Sequence, residues 1–140
     1  RKWPRLMPFV LDNSVATGWY IPDQATAYTQ AMATRLDTDR SIVPALWQLE
    51  FANVLKTACT KGKLSLDVAR EIVDTFGALP VEVDNGVAPG PRQLLELAMR
   101  YDLSSYDAAY LELAMRHGLP IASQDGKLRD AALQAGVTLL

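Results

Sequence analysis

Residues 9–12 read Phe9-Val10-Leu11-Asp12, an apolar run that ends in an acid. A strand inside a parallel sheet is covered on both faces, so its sequence is continuously apolar rather than alternating. We therefore predict a short buried strand at 9–11, with Asp12 at its carboxyl end.

Outward from this strand, short apolar runs alternate with helical periodicity along the chain. We predict strands at 9–11, 41–43, 81–83, 119–122 and 137–139. We predict helices at 14–20, 24–36, 44–60, 66–76, 92–101, 105–117 and 128–135. This alternation indicates an α/β fold, in which a mostly parallel sheet of about five strands carries helices on both faces.

The composition is that of one globular domain. The chain has 140 residues, of which 49% are hydrophobic and 21% charged, and this size and balance suit a single core. We assign residues 7–140 to one domain and treat the basic, aperiodic residues 1–6 as an extension. No apolar run approaches the roughly 18 to 20 residues that a membrane-spanning helix needs, and no export signal is recognisable, so we expect a cytoplasmic protein.

The net charge of −2 argues against a broad basic face for nucleic-acid binding. Candidate cations are scattered over several predicted helices: Lys56, Lys61, Lys63, Arg92, Arg100, Arg116, Lys127 and Arg129. We expect most of them to lie on solvated helix faces, so any nucleic-acid contact is local.

Two acids are predicted to meet at one edge of the sheet. Asp12 follows the strand at 9–11, and Asp125 follows the strand at 119–122. Open parallel sheets bind ligands beyond the carboxyl ends of their strands, close to the point where the strand order reverses. Two carboxylates from opposite ends of the chain are therefore expected to lie together in that crevice.

Two further acids lie on helix faces that are otherwise apolar. Glu50 is three residues from Trp47 in the longest predicted helix, and Asp107 is four residues from Leu111 in a later one. Each acid lies within or beside an apolar stripe. A carboxylate on a core-facing stripe is costly without a partner, so we expect both acids to join the same cleft.

Converging carboxylates repel one another, and a divalent cation removes that repulsion. Oxygen ligands favour Mg²⁺ or Mn²⁺. The chain has one cysteine, Cys59, which we interpret as a small core residue, and one histidine, His117, so neither a zinc site nor paired-histidine catalysis can be built. Metal-assisted attack of water on a phosphodiester needs no histidine, and a carboxylate can orient or deprotonate the water.

Three of the acids also have a structural interpretation. Asp12 could cap the helix that follows it, although Ser14 could do so instead, and Asp125 could cap the last helix. Ser104 and Asp107 have the spacing of a capping box. Glu50 has no capping alternative.

Four segments, each carrying one acid, resemble the PIN-domain family and in particular the VapC-type toxins of toxin–antitoxin pairs. The segments are 9–14, 44–55, 103–114 and 121–128, and the resemblance extends over residues 7–140. At one position the opening segment departs from the pattern, because Asn13 stands where a small or hydroxyl residue is frequent. This departure puts none of the acids in doubt.

The resemblance implies a three-layer α/β/α fold and a Mg²⁺- or Mn²⁺-dependent endoribonuclease. It also implies a homodimer and a cognate antitoxin whose tail reaches the acidic cleft. By position, it assigns metal binding and catalysis to Asp12, Glu50, Asp107 and Asp125, and a supporting role to Ser14.

Three other functions could use a domain of this kind. An aspartate-nucleophile phosphatase needs a second acid two residues after the nucleophile, and Ser14 occupies that position, so we exclude this class. A catalytically silent PIN-like module that only dimerises or binds a partner stays open. A housekeeping RNA-processing nuclease without an antitoxin stays open as well.

Overall fold

A parallel four-stranded sheet forms the centre of the protein. The architecture comes from a computed structural model, which describes residues 8–86 and 88–140; the predicted extension at 1–6 lies outside them. The strands are β1 (Phe9–Leu11), β2 (Ser41–Val43), β3 (Val81–Val83) and β4 (Ile121–Ala122). Their order across the sheet is β3-β2-β1-β4, and all neighbours are parallel.

The prediction of about five strands is corrected by one. In the described part of the chain, the segment 137–139 makes only a single parallel bridge, between Leu139 and Ile121. Because β4 is only two residues long, the last segment finds too few pairing positions for a strand of its own. The other four predicted strands are confirmed.

Helices cover both faces of the sheet, which makes the domain a three-layer α/β/α structure. The helices are α1 (Asn13–Tyr20), α2 (Ala27–Arg35), α3 (Leu46–Thr60), α4 (Leu66–Gly77), α5 (Pro91–Tyr101), α6 (Ser105–His117) and α7 (Gly126–Gln134). None of the helices in the described ranges is both long enough and apolar enough to cross a membrane.

The second helix begins later than the sequence predicts. Residues Pro22–Gln24 form a separate 3-10 turn, and α2 begins at Ala27 instead of 24. Thr26 is the N-cap: its hydroxyl accepts a hydrogen bond from the Thr29 amide, and the Thr29 side chain accepts one from the Thr26 amide. This reciprocal pair satisfies two amides at the helix start, so it outweighs the proline signal.

The order of the strands places the site. The chain passes from β1 through β2 to β3 on one side and then returns to β4 on the other side of β1. The carboxyl ends of β1 and β4 therefore flank the point where the strand order reverses. Asp12 follows β1 directly, and the segment 123–125 follows β4, so the two predicted edge acids are neighbours.

Candidate active site

Asp12 lies at the centre of the candidate site. Its side chain is buried, with 6% exposure, and its amide donates to the carbonyl of Ala122 at 3.0 Å. The hydroxyls of Ser14 and Ser123 both donate to Oδ2, each at 2.7 Å. Asp12 occupies the N-cap position of α1, but its carboxylate makes no capping hydrogen bond. The capping interpretation of this acid is wrong.

Asp125 lies near Asp12, because β4, which precedes Asp125, pairs directly with β1. It is the N-cap residue of α7 by position, and its side chain also makes no capping hydrogen bond. Its amide donates instead to Oγ of Ser123 at 3.0 Å. The Ser123 hydroxyl thus holds the carboxylate of Asp12 and the backbone of Asp125, which fixes the spacing of the two acids.

Asp107 enters the cleft from the first turn of α6. Ser104 caps this helix, and its hydroxyl accepts from the Asp107 amide at 3.1 Å. In the described residues the reciprocal bond, from the Ser104 amide to the Asp107 carboxylate, is absent, so only half of the predicted capping box forms. The Asp107 carboxyl instead lies close enough to the carboxyl of Asp125 for that neighbour to raise its pKa.

Glu50 reaches the cleft from α3, and its carboxylate has a partner. The hydroxyl of Tyr110, a fully buried residue on α6, donates to Oε1 of Glu50. This contact answers the expectation that a glutamate beside an apolar stripe needs a partner. Burial, followed by the hydrogen bond to Glu50, raises the pKa of Tyr110, so the tyrosine remains a donor.

The pKa of Asp107 is raised by its surroundings, which include the other three acids. Burial, the hydrogen bond with Asp125, and the negative charges of Asp125, Asp12 and Glu50 raise this pKa to about 7. Like charges disfavour ionisation when they share a site. The first turn of α6 therefore carries a carboxyl that holds its proton close to neutral pH in the absence of a cation.

The pKa values of Asp12 and Glu50 are raised as well, each chiefly by burial. For Asp12, the hydroxyl hydrogen bonds from Ser123 and Ser14 partly oppose this rise, and the charge of Asp125 adds to it. For Glu50, the hydrogen bond from Tyr110 opposes the rise, and the charge of Asp12 adds to it. The site therefore carries unfavourable negative charge that a cation would relieve.

The donor set fits Mg²⁺ or Mn²⁺, although it is not a closed cage. Within the described ranges, no three Asp, Glu, His or Cys side chains come close enough to one another to enclose an ion. Two of the acids, Asp12 and Asp125, hold N-cap positions without using their carboxylates there, so ligand oxygens remain. Oxygen donors of this kind suit hard cations that retain several waters.

Ser14 lies beside the cleft, as the sequence predicts. Its hydroxyl donates to Asp12 and accepts from the Gln124 amide at 3.0 Å, and its carbonyl accepts from the Gln124 side chain at 3.1 Å. Ser14 therefore ties the start of α1 to the segment that follows β4. Its geometry supports Asp12 by a hydrogen bond.

Several of the candidate cations form ion pairs with acids other than the four of the candidate site. Lys63 pairs with Asp23 at 3.0 Å, and Arg116 pairs with both Asp84 and Glu112. Asp84 also follows a strand, β3, but these contacts hold it outside the acidic cleft. The sheet edge thus has a third acid that the cleft does not use.

Cys59 is part-buried and packs against the core, and its Sγ lies 3.8 Å from the carbonyl of Ser65. This environment agrees with the interpretation of Cys59 as a small core residue.

Two residues of the site, Ser123 and Tyr110, were not predicted from the sequence. Each had a weak signal. Ser123 stands two residues before Asp125, which mirrors the position of Ser14 two residues after Asp12. Tyr110 stands three residues after Asp107, on the same face of its helix. Neither spacing indicates which acid the side chain would contact.

Comparisons with known proteins identify relatives of this chain. The pattern of the PIN domain family matches residues 9–133. Ribonuclease VapC1 from two strains of Mycobacterium tuberculosis is 32% identical over 93 residues, which cover 65% of this chain and 67% of the relative.

Two solved structures share the fold. The crystal structure of PAE2754 from Pyrobaculum aerophilum has a TM-score of 0.68 at 19% identity and covers 95% of this chain and 90% of that one. The crystal structure of FitAcB from Neisseria gonorrhoeae has a TM-score of 0.64 at 15% identity, with 94% and 96% covered. At these identities the likeness concerns the fold.

Proposed function

This chain belongs to the PIN-domain family, and from that premise we propose that it is a metal-dependent endoribonuclease, the toxin of a toxin–antitoxin pair. The single observation that carries the proposal is the convergence of Asp12, Glu50, Asp107 and Asp125, which raises the pKa of Asp107 to about 7. Isolated surface acids do not produce such a rise. Perturbed carboxyls in a cleft are typical of functional sites.

Asp12, Glu50, Asp107 and Asp125 would hold Mg²⁺ or Mn²⁺ through their carboxylate oxygens. When bound, the ion supplies an activated water and neutralises charge on the phosphate. The hydroxyls of Ser14 and Ser123 both engage Oδ2 of Asp12, so Oδ1 receives neither hydroxyl. This arrangement would leave Oδ1 of Asp12 to bind a cation.

Proton handling in the cleft is the task of the carboxyls. Hydrolysis forms a bond between a water oxygen and phosphorus and breaks one P–O bond of the backbone. A carboxylate of the set would accept the proton that the water loses, and the leaving oxygen would take up a proton from solvent. The pKa of Asp107 is raised to about 7, so near neutral pH a bound cation would displace a proton from this carboxyl. The only histidine, His117, lies beside Asp84 and takes no part.

The choice of RNA as substrate and of an antitoxin as partner is supported by the relative named ribonuclease VapC1. Exposed apolar side chains supply surface for protein partners, including a second copy of this chain. Leu95 and Met99 on α5 are 61% and 76% exposed, and large apolar groups grouped on one helix are typical of interaction sites. We propose a homodimer and a cognate antitoxin.

Cleavage of total cellular RNA tests the proposal. The purified protein is assayed with Mg²⁺, with Mn²⁺ and with EDTA, next to the variants Asp12→Asn and Asp67→Asn. Asp67 is an exposed acid on α4 and serves as the matched control. We expect metal-dependent products from the wild type and the control, and none from Asp12→Asn.

Other results would favour one of the two alternative functions. A folded wild-type protein that neither cleaves RNA nor binds a divalent cation would be a silent partner-binding module. Cleavage without growth arrest when the protein is expressed without its antitoxin would indicate a housekeeping RNA-processing nuclease.

A further inference from the structure

One contact in the cleft joins its two helical walls. Tyr110 on α6 is fully buried, and its hydroxyl donates to Oε1 of Glu50 on α3. The two residues are 60 positions apart in sequence. The hydrogen bond therefore connects the helix that carries Asp107 with the helix that carries Glu50.

Glu50 needs such a contact because other forces push it outward. The negative charge of Asp12 acts on it directly, and Glu50 in turn acts on Asp107. Glu50 is itself only part-buried, so solvent lies close to its side chain. A long glutamate side chain gains rotamer freedom and loses repulsion when it turns toward water.

No cation opposes this tendency in the described part of the chain, where Glu50 makes no ion pair with a lysine or arginine. The Tyr110 hydroxyl is the side-chain donor that it meets there. A charge-assisted hydrogen bond to a buried donor is among the stronger ones in proteins.

We propose that Tyr110 is a positioning residue, which keeps the Glu50 carboxylate turned into the acidic cleft. Tyr110 lies three residues after Asp107, so α6 supplies one acid of the site and also the group that aims the opposite acid. The inference rests on the proposed function for its purpose, because the cleft needs Glu50 only if the acids bind a cation.

Titration with Mn²⁺ by calorimetry tests this role. The Tyr110→Phe variant keeps the ring and removes only the donor, and Tyr20→Phe is the matched control because the Tyr20 hydroxyl is buried but contacts none of the four acids. Loss of a group that orients a metal ligand typically weakens metal binding by about 10- to 100-fold. We expect that loss in Tyr110→Phe and wild-type affinity in Tyr20→Phe.

A double variant separates positioning from general damage to the fold. If Tyr110 acts through Glu50, adding Tyr110→Phe to Glu50→Ala leaves the Mn²⁺ affinity of Glu50→Ala unchanged. Wild-type affinity in Tyr110→Phe, or an additional full loss in the double variant, would overturn the inference. Unfolding by urea checks that each variant is folded under the titration conditions.

A crystal structure of Tyr110→Phe in EDTA provides a measurement that needs no metal. We expect the Glu50 carboxylate to turn toward solvent while Asp107 keeps its place at the start of α6. A Glu50 carboxylate that stays in the cleft would refute the positioning role even if Mn²⁺ binding were lost. If the wild type binds no Mn²⁺, the proposed function fails, and this structure alone decides the role of Tyr110.

Discussion

Neutralising Asp107 is expected to stabilise the metal-free protein. Burial, the hydrogen bond with Asp125 and the charges of three acids raise the pKa of Asp107 from 3.8 to about 7. At about 1.4 kcal/mol per pKa unit, the rise corresponds to roughly 4 kcal/mol. Asp107 is only part-buried, and solvent screening reduces the expected gain for Asp107→Asn to about 1–2 kcal/mol.

The sign of this effect depends on pH. The unfolded chain ionises Asp107 near pH 4, whereas the folded chain retains the proton until about pH 7. Between these values the native state binds more protons than the unfolded state, so the contribution of Asp107 to stability falls as the pH rises. The Asp107→Asn variant does not ionise, so its advantage is small below pH 4 and complete above pH 7.

Urea unfolding in EDTA at pH 5 and pH 8 measures the effect. The matched control is Asp67→Asn. Asp67 lies in the first turn of α4, as Asp107 does in the first turn of α6, but Asp67 is exposed and outside the candidate site. We expect a larger stabilisation at pH 8 than at pH 5 in Asp107→Asn alone, together with a loss of RNA cleavage by orders of magnitude. An Asp107→Asn protein that is less stable than wild type at pH 8 would refute the reasoning and show that the carboxylate stabilises the helix.

Three further changes test the site and the fold. Ser123→Ala removes the hydroxyl that donates a 2.7 Å hydrogen bond to Oδ2 of Asp12, so we expect the kcat of RNA cleavage to fall by about 10- to 100-fold. An unchanged kcat would show that this hydrogen bond does not position Asp12. Gly18→Ala would place a Cβ 2.5 Å from Cγ2 of the fully buried Thr29, and we expect a loss of about 1–3 kcal/mol in the free energy of unfolding by urea; stability equal to wild type would mean that α1 and α2 separate easily. Cys59→Ala is expected to leave cleavage per folded molecule unchanged, and a large loss of kcat would reopen a nucleophilic role.

Local patterns were sufficient for the secondary structure of the centre of the protein. A continuous apolar run predicts β1 because a strand covered on both faces admits few polar residues. Departures from the prediction occurred where short segments depend on neighbours. The segment 137–139 forms only one bridge because β4 offers so little length, and α2 begins at Ala27 because Thr26 and Thr29 bond reciprocally.

Sequence spacing predicts which residues lie at capping positions, but it does not predict whether their side chains form the capping hydrogen bond. Asp12, Asp125 and Asp107 all stand where a capping residue would stand, and none of their carboxylates makes a capping hydrogen bond in the described structure. Position along the chain determined that these acids begin helices at the sheet edge. The surrounding charges and hydroxyls determined where their side chains point.

The sequence by itself determined an α/β domain with four acids in order along the chain, because periodicity and residue type are local properties. The meeting of these acids, the rise in the pKa of Asp107, and the contacts of Tyr110 with Glu50 and of Ser123 with Asp12 were decided only by the tertiary structure. These contacts join residues 60 and 111 positions apart. The reversal of strand order between β1 and β4 brings distant segments together. The number of residues between two positions does not give the distance between them in the folded protein.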